Sequence, residues 1–254
     1  MCLFDSHAHL DDQKYDDDRE SLIDTFKANN IARVVNIGCD IKTSLKSVEL
    51  AEKYEFIYAT VGIHPQEADK VDESDIKTLE NLTTHKKVVA IGEIGLDYHY
   101  PTPERSIQKK LFILQIKLAR KTNLPIVIHS RDASEDTYEI IKEYAKDMKF
   151  LLHCFSQSAE MAKKYIELGG KLAFGGTLTF KNAKSSPEIV KQTDIKDILI
   201  ETDSPYLTPE PFRGKRNNPT YVKYVAEKIA EIKDMSFEEV ARITYDNAVE
   251  FYGI

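Results

Sequence analysis

Leu3-Phe4-Asp5-Ser6-His7-Ala8-His9-Leu10 is the stretch whose reading decides the fold. Its apolar start reads as a β-strand that runs straight into His7 and His9. Successive side chains along a strand alternate between faces, so residues two apart share one. Both imidazoles therefore point to the same side, where a His-x-His pair holds one metal ion with little backbone adjustment. A doubly wound open sheet would place a glycine-rich phosphate turn after its first strand. That turn is absent, and two potential metal ligands stand in its place.

Downstream the pattern is strand then helix, repeated. An acid-rich turn at Asp11 to Asp18 leads into an amphipathic stretch from Glu20 to Asn29. β-branched runs at Arg33 to Ile37, Ile57 to Val61 and Val88 to Glu93 alternate with helical periodicity over Thr43 to Tyr54 and Ser74 to Leu82. Thr102 as N-cap and Pro103 at the first helical position open a long helix that runs to Thr122. The later strands are Ile126 to His129, Phe150 to His153, Lys171 to Phe174 and Ile198 to Glu201. Helices are expected after Asp132, with Glu135 completing a capping box, and over Ser158 to Leu168, Tyr221 to Ile232 and Phe237 to Tyr252, the last capped by Ser236 with Glu239. Eight strands alternating with helices in 254 residues is the arithmetic of an α/β fold of the (β/α)8 TIM barrel type, expected as a single domain over 1–254.

Composition narrows the partners. With 42% hydrophobic and 30% charged residues the chain is ordinary for one soluble globular domain, and no apolar run is long enough for a membrane helix. A net charge of -7 argues against wholesale wrapping of nucleic acid. It leaves room for a phosphate pocket in which divalent ions offset inward carboxylates. Cys2, Cys39 and Cys154 are odd in number and far apart, so neither a disulfide framework nor a thiolate zinc site is expected. The opening residues lack a signal-peptide pattern, and a cytoplasmic address with no obligatory protein partner is the expectation.

Chemistry collects at the strand ends. Of seven histidines, His7, His9, His64, His129 and His153 fall there, whereas His85 and His99 do not. Glu93 ends the fourth strand and Asp203 follows the eighth. Parallel barrel strands open all their C-terminal ends onto one face, where barrel active sites are built. His7, His9, Glu93, His129, His153 and Asp203 are then six candidate ligands, more than the four a structural zinc takes, and this points to two divalent ions. Glu93 has two oxygens and is the best bridge. His7, His9 and Asp203 would hold one ion, and His129 and His153 the other. A water between the ions would lose its proton near neutral pH and act as a metal-bound hydroxide nucleophile. Asp203 is also placed to receive that proton, so ligand and base both stay open for it. His64, before the fixed turn at Pro65, is a candidate to bind substrate or protonate a leaving oxygen. Ligand types fit Zn²⁺, Mn²⁺ or Ni²⁺, and Mg²⁺ less well because of the imidazoles.

Basic loops supply the substrate hints. Arg213, Lys215 and Arg216 lie in the proline-rich loop after the eighth strand, and Lys181 and Lys184 follow Gly175-Gly176-Thr177 after the seventh. Arg131, just past His129, has the two parallel donors that grip a phosphate. Glu201 shares the face of Asp203 and reads either as a substrate-side group or as a buried carboxylate. Tyr98, Tyr100, Phe155, Phe180 and Tyr206 are candidates to stack on a base.

Together, Asp5-Ser6-His7-Ala8-His9, Gly62-Ile63-His64-Pro65, Gly92-Glu93-Ile94-Gly95-Leu96-Asp97-Tyr98, His129-Ser130-Arg131, His153-Cys154-Phe155-Ser156 and Glu201-Thr202-Asp203-Ser204-Pro205 resemble, in order and across the chain, the motifs of the TatD family of metal-dependent deoxyribonucleases. The resemblance implies an amidohydrolase-like barrel with a two-ion centre on the six ligands above. It also implies DNA as substrate, often cleaved as a 3′ to 5′ exonuclease on single strands. One departure is Asn218, where the family frequently has Glu before Pro. Two other readings use the same residues: an ester or amide hydrolase such as a D-aminoacyl-tRNA deacylase, and an idle barrel serving as a binding module. Many binuclear amidohydrolases bridge their ions with a modified lysine, whereas the fourth strand here ends in Glu93.

Overall fold

The computed structural model describes residues 2–254. Its strands are β1 (Leu3–Ala8), β2 (Ile31–Ile37), β3 (Ile57–Val61), β4 (Val88–Asp97), β5 (Ile126–Arg131), β6 (Phe150–Leu152), β7 (Lys171–Phe174) and β8 (Ile198–Ile200). They form one sheet in sequential order, β1 to β8. A doubly wound sheet would reverse its strand order at a switch point. Sequential order with intervening helices is that of the (β/α)8 barrel, as the His-x-His reading of the first strand required.

Helices α1 (Arg19–Asp24), α2 (Ile41–Lys53), α3 (Glu73–Leu82), α4 (Arg105–Thr122), α5 (Ser134–Tyr144), α6 (Ala159–Glu167), α7 (Ser186–Gln192), α8 (Val222–Lys233) and α9 (Phe237–Tyr252) fill the connections. The chain divides into two compact units. One comprises residues 2–36, 154–163 and 171–254, and the other residues 37–153 and 164–170.

In the first unit β1 pairs in parallel with β2, and β7 with β8. Beyond β8, Ala8 forms a parallel bridge with Ser204. All six residues of β1 are buried. The β1 floor is sealed by α9: the Phe4 ring stacks on Tyr252 at 6.0 Å, and the Tyr252 hydroxyl donates to the Ser6 carbonyl at 2.9 Å. Helix α9 starts where its capping box places it, with Ser236 and Glu239 closing on each other's backbone N–H.

In the second unit β3, β4, β5 and β6 pair in parallel, and all ten residues of β4 are buried. A strand buried on both faces reads as a near-continuous apolar run, which is why Val88 to Ile91 announces it. Helix α4 packs on β4 and buries Leu111, Phe112, Ile116 and Ala119, the larger of which are worth about 1.5–3 kcal/mol each.

Two local expectations are corrected, and one helix had not been expected. Helix α4 begins at Arg105 after Glu104 rather than at Pro103, because the Pro103 carbonyl is taken by the Gln108 side chain (2.9 Å). Asp132 does not cap α5. It sits in the left-handed region (φ 53°), its carboxylate faces His99 at 3.3 Å, and the helix starts two residues later without a side-chain cap. Helix α7, between β7 and β8, has only seven residues and too little periodicity to be read in advance.

Candidate metal centre

Each unit carries its own group of converging ligands. In the first, β1 and the segment after β8 are zipped together: the Asp203 N–H donates to the His7 carbonyl (2.9 Å) and the His9 N–H to the Ser204 carbonyl (2.7 Å). Asp5 locks the same junction, accepting from the Thr202 N–H (2.8 Å) and the Thr202 hydroxyl (2.5 Å). Burial pushes the Asp5 carboxyl up to about 8, with the Thr202 hydrogen bonds opposing. The result brings Nε2 of His9 to 3.3 Å and Nε2 of His7 to 3.7 Å from Oδ1 of Asp203, with the two Nε2 atoms 3.3 Å apart. Two imidazole nitrogens this close, both facing one carboxylate oxygen, fit a shared cation better than they fit one another.

Buried carboxamides hold the flanking backbone. Asn36 Oδ1 accepts from the Leu10 N–H at 2.5 Å, and Asn217 Nδ2 donates to the carbonyls of Thr202 (2.8 Å) and Tyr206 (2.6 Å), on either side of Asp203.

In the second unit Glu93 is the focus. Its Oε1 lies 2.8 Å from both His129 Nδ1 and His153 Nε2, which are 3.2 Å from each other, and 3.7 Å from His64 Nε2. The Cys39 thiol donates to the other oxygen, Oε2, at 3.5 Å. His64, Glu93 and His129 each offer a ligand atom within 4.8 Å of the others, an arrangement that could hold a metal ion. Gly95 makes the approach possible. It pairs with His129 in the ladder at φ 140°, and any Cβ there would fall on the His129 carbonyl oxygen.

Asp97 is a further candidate that the ligand assignment did not include. Its Oδ2 lies 3.2 Å from His129 Nε2, on the ring edge opposite Glu93. A ligating histidine typically presents its second nitrogen to such a carboxylate, which fixes the tautomer and raises its basicity. Burial alone would push Asp97 up, but the hydrogen bond and charge of His129 outweigh it and hold the carboxyl below the usual range. Burial likewise works against a charged His129 ring, and the bonds from Asp97 and Glu93 raise it nonetheless. The signal was available, since residues 93, 95 and 97 alternate onto one face of β4.

His64 differs in kind. Its Nδ1 accepts the Gln66 N–H (3.2 Å), and burial, with the neighbouring His129, pushes the ring down to about 3. A neutral ring that accepts at Nδ1 carries its proton on Nε2. That N–H faces Glu93 Oε1, which suits a donor more than a ligand.

The remaining candidates separate. Arg131 ends β5 exposed, its guanidinium 5.9 Å from the ring of Tyr100, which is 50% exposed. Arg213 lies 4.1 Å over Phe180, Lys215 5.5 Å from the ring of Phe212, and Arg216 is engaged by Asp18 at 2.5 Å. Glu201 is wholly buried and accepts the Cys154 N–H (2.6 Å), which gives it a place in the framework. Tyr98 and Tyr206 donate to Asp136 and Asp12, and Phe155 is buried against Phe174. Asn218, at the departure from the family pattern, caps the turn Pro219–Tyr221. His85 pairs with Glu52 and His99 with Asp132, at the surface.

The family model described as TatD related DNase matches residues 4–253. An uncharacterized metal-dependent hydrolase, YabD of Bacillus subtilis (strain 168), is 50% identical over 99% of both chains. Another, YcfH of Escherichia coli (strain K12), is 38% identical over 100% of this chain and 97% of its own. Among solved structures, the TatD homologue YJJV of Escherichia coli K12 superposes with a TM-score of 0.93 at 26% identity, covering 99% of this chain and 98% of that one. With its two groups of histidines and carboxylates on a (β/α)8 framework, the chain belongs to the TatD family of metal-dependent hydrolases.

Proposed function

We propose that the protein is a divalent-metal-dependent deoxyribonuclease that hydrolyses phosphodiester bonds, acting as a 3′ to 5′ exonuclease on single-stranded DNA through one catalytic domain spanning 1–254. The observation that carries this reading is the convergence of His129 Nδ1 and His153 Nε2 on one oxygen of Glu93 beside the neutral N–H of His64. The family description supports DNA as the substrate.

In this reading two ions are bound, Mg²⁺, Mn²⁺ or Zn²⁺. His7, His9 and Asp203 would hold one, and His129 and His153 together with Glu93 would hold the other. Bound divalent ions acidify water and neutralise charge on phosphoryl oxygens. Asp203 receives the proton released by the attacking water. His64 donates its Nε2–H to the phosphoryl or leaving oxygen, a role its depressed basicity favours because the ring stays neutral and its proton is available as a hydrogen bond. Arg131, Arg213 and Lys215 bind backbone phosphates, Glu201 braces the substrate side of the loop after β8, and Tyr100 offers a base-stacking face. Cys2, Cys39 and Cys154 form no disulfide among the described residues, and a cytoplasmic address is part of the proposal. No helix among the described residues is long and apolar enough to cross a membrane.

The test strips the protein with chelator, reloads it with each metal, and offers single-stranded DNA labelled at either end beside D-aminoacyl-tRNA and simple amides. Metal-dependent release of 3′ mononucleotides is the expected result. Cleavage of the tRNA ester alone would move the substrate to the deacylase reading, and no turnover with any metal would overturn hydrolysis.

A further inference from the structure

Two glutamines on α4 reach into the second unit with the same geometry. Gln108 and Gln115 are seven residues apart, two helical turns, and so share one face. Both are buried, 1% and 0% exposed. Gln115 Oε1 accepts the Ile63 N–H at 2.7 Å, and its Nε2 donates to the Ile63 carbonyl at 2.9 Å. Gln108 Oε1 accepts the Asp97 N–H at 2.8 Å, while its Nε2 donates to the carbonyls of Asp97 and Pro103, both at 2.9 Å. Each carboxamide thus closes on both backbone groups of one residue, as a neighbouring strand would, at points where β3 and β4 run out of partners.

The residues they clamp are not arbitrary. Ile63 immediately precedes His64, and Asp97 is the carboxylate behind His129. A carboxamide supplies one acceptor and one donor without charge, so it can fix backbone beside metal ligands without shifting their proton affinities or competing for the ion.

We propose that Gln115 and Gln108 are positioning residues with separate roles: Gln115 aims the His64 N–H, and Gln108 holds Asp97 against His129 and thereby sets the affinity of the His129 metal site. The inference rests on the metal-dependent hydrolase reading and is independent of DNA as the substrate.

The test uses Gln115→Glu and Gln108→Glu in the full chain. Each keeps the acceptor and shape, loses the donor when ionised, and regains it when protonated. Folding is checked by circular dichroism and Tm. Three readouts follow: calorimetric titration of the stripped protein with Mn²⁺ and Zn²⁺, the ¹⁵N tautomer pattern of His64, and kcat and KM on a single-stranded oligonucleotide. For Gln115→Glu the expected result is Mn²⁺ affinity within about twofold of the parent, a His64 pattern shifted toward mixed tautomers, and kcat lowered on the order of tenfold at constant KM, recovering relative to the parent as pH falls. For Gln108→Glu the expected result is metal affinity lowered by about 10–100-fold with the His64 pattern unchanged. If both variants lose Tm, metal affinity and kcat in the same proportion, the glutamines are structural only and the proposal is overturned. It is also overturned if Gln115→Glu leaves the His64 pattern intact. Should the parent not cleave the oligonucleotide, the titration and the tautomer pattern still decide it, so its failure is distinguishable from failure of the nuclease reading.

Discussion

Oδ2 of Asp97 sits 3.2 Å from Nε2 of His129, across the ring from the contact His129 makes with Glu93 at 2.8 Å. The imidazole is thereby gripped at both nitrogens, which restricts its rotation. Asp97→Asn keeps the shape and the acceptor but loses the charge that supports the ring. Its metal affinity should fall by about 10–100-fold while the far-ultraviolet spectrum stays that of the parent. A calorimetric titration giving the parent's affinity would show that Asp97 has no part in holding the ion.

Asn217 tests the other ligand group. Its Nδ2 serves the carbonyls of Thr202 and Tyr206, and it is completely buried. Asn217→Asp would set a carboxylate oxygen against two carbonyl oxygens and leave both unpaired. Stability should drop by roughly 1–3 kcal/mol or more in a denaturant titration, and the loss should shrink in acid, where the new carboxyl protonates and can donate once.

An acid-sensitive contribution is expected away from the ligands. Lys109 Nζ lies 2.7 Å from Asp136 Oδ2, where the Tyr98 hydroxyl also donates at 2.7 Å. The Lys109 bond, helped by Tyr98 and opposed by slight burial, holds the Asp136 carboxyl below its ordinary 3.8. A carboxyl depressed on folding contributes stability above its unfolded value, and that contribution is lost as pH falls through the folded one. Lys109→Met moves Asp136 back toward 3.8. The Tm difference between parent and variant should therefore hold steady near neutral pH and close as pH drops below 3.8. A difference independent of pH would assign the effect to packing.

Arg131 is expected to act on binding rather than on turnover. Exposed at the end of β5 beside Tyr100, it is free of any carboxylate at salt-bridge distance among the ion pairs described. If it grips one phosphate, Arg131→Ala should raise KM for single-stranded DNA several-fold at constant kcat and lower the log–log salt slope by about 0.7. An unchanged slope would remove Arg131 from the DNA path.

Glu93 supplies the sharpest single control. Glu93→Ala removes the oxygen on which His129 and His153 converge, and turnover should disappear with the barrel still folded by circular dichroism. Persistent activity would place the shared carboxylate elsewhere.

Much of this was written locally in the chain. Strand period and helix period alone located all eight strands, and the His-x-His of β1, in place of a glycine-rich turn, separated the barrel from the open sheet before strand order was visible. The candidate ligands at 7, 9, 93, 129, 153 and 203 stood out because side-chain alternation is strictly local and parallel strands end on a common side. The expected caps at Thr102 and Asp132 did not form: Gln108 takes the Pro103 carbonyl, and the Asp132 carboxylate faces His99.

What only the tertiary structure decided is the choice of partners across long separations. Gln115 meets Ile63 across 52 residues and Asn217 meets Thr202 across 15, and no periodicity announces either. Arg216 reads as a phosphate grip until Asp18, 198 residues away, proves to hold it. Periodicity records which face of an element is buried. Which buried amide meets which backbone group, and which cation is already spoken for, depends on ångström-scale approach between elements, and that exists only once the chain is folded.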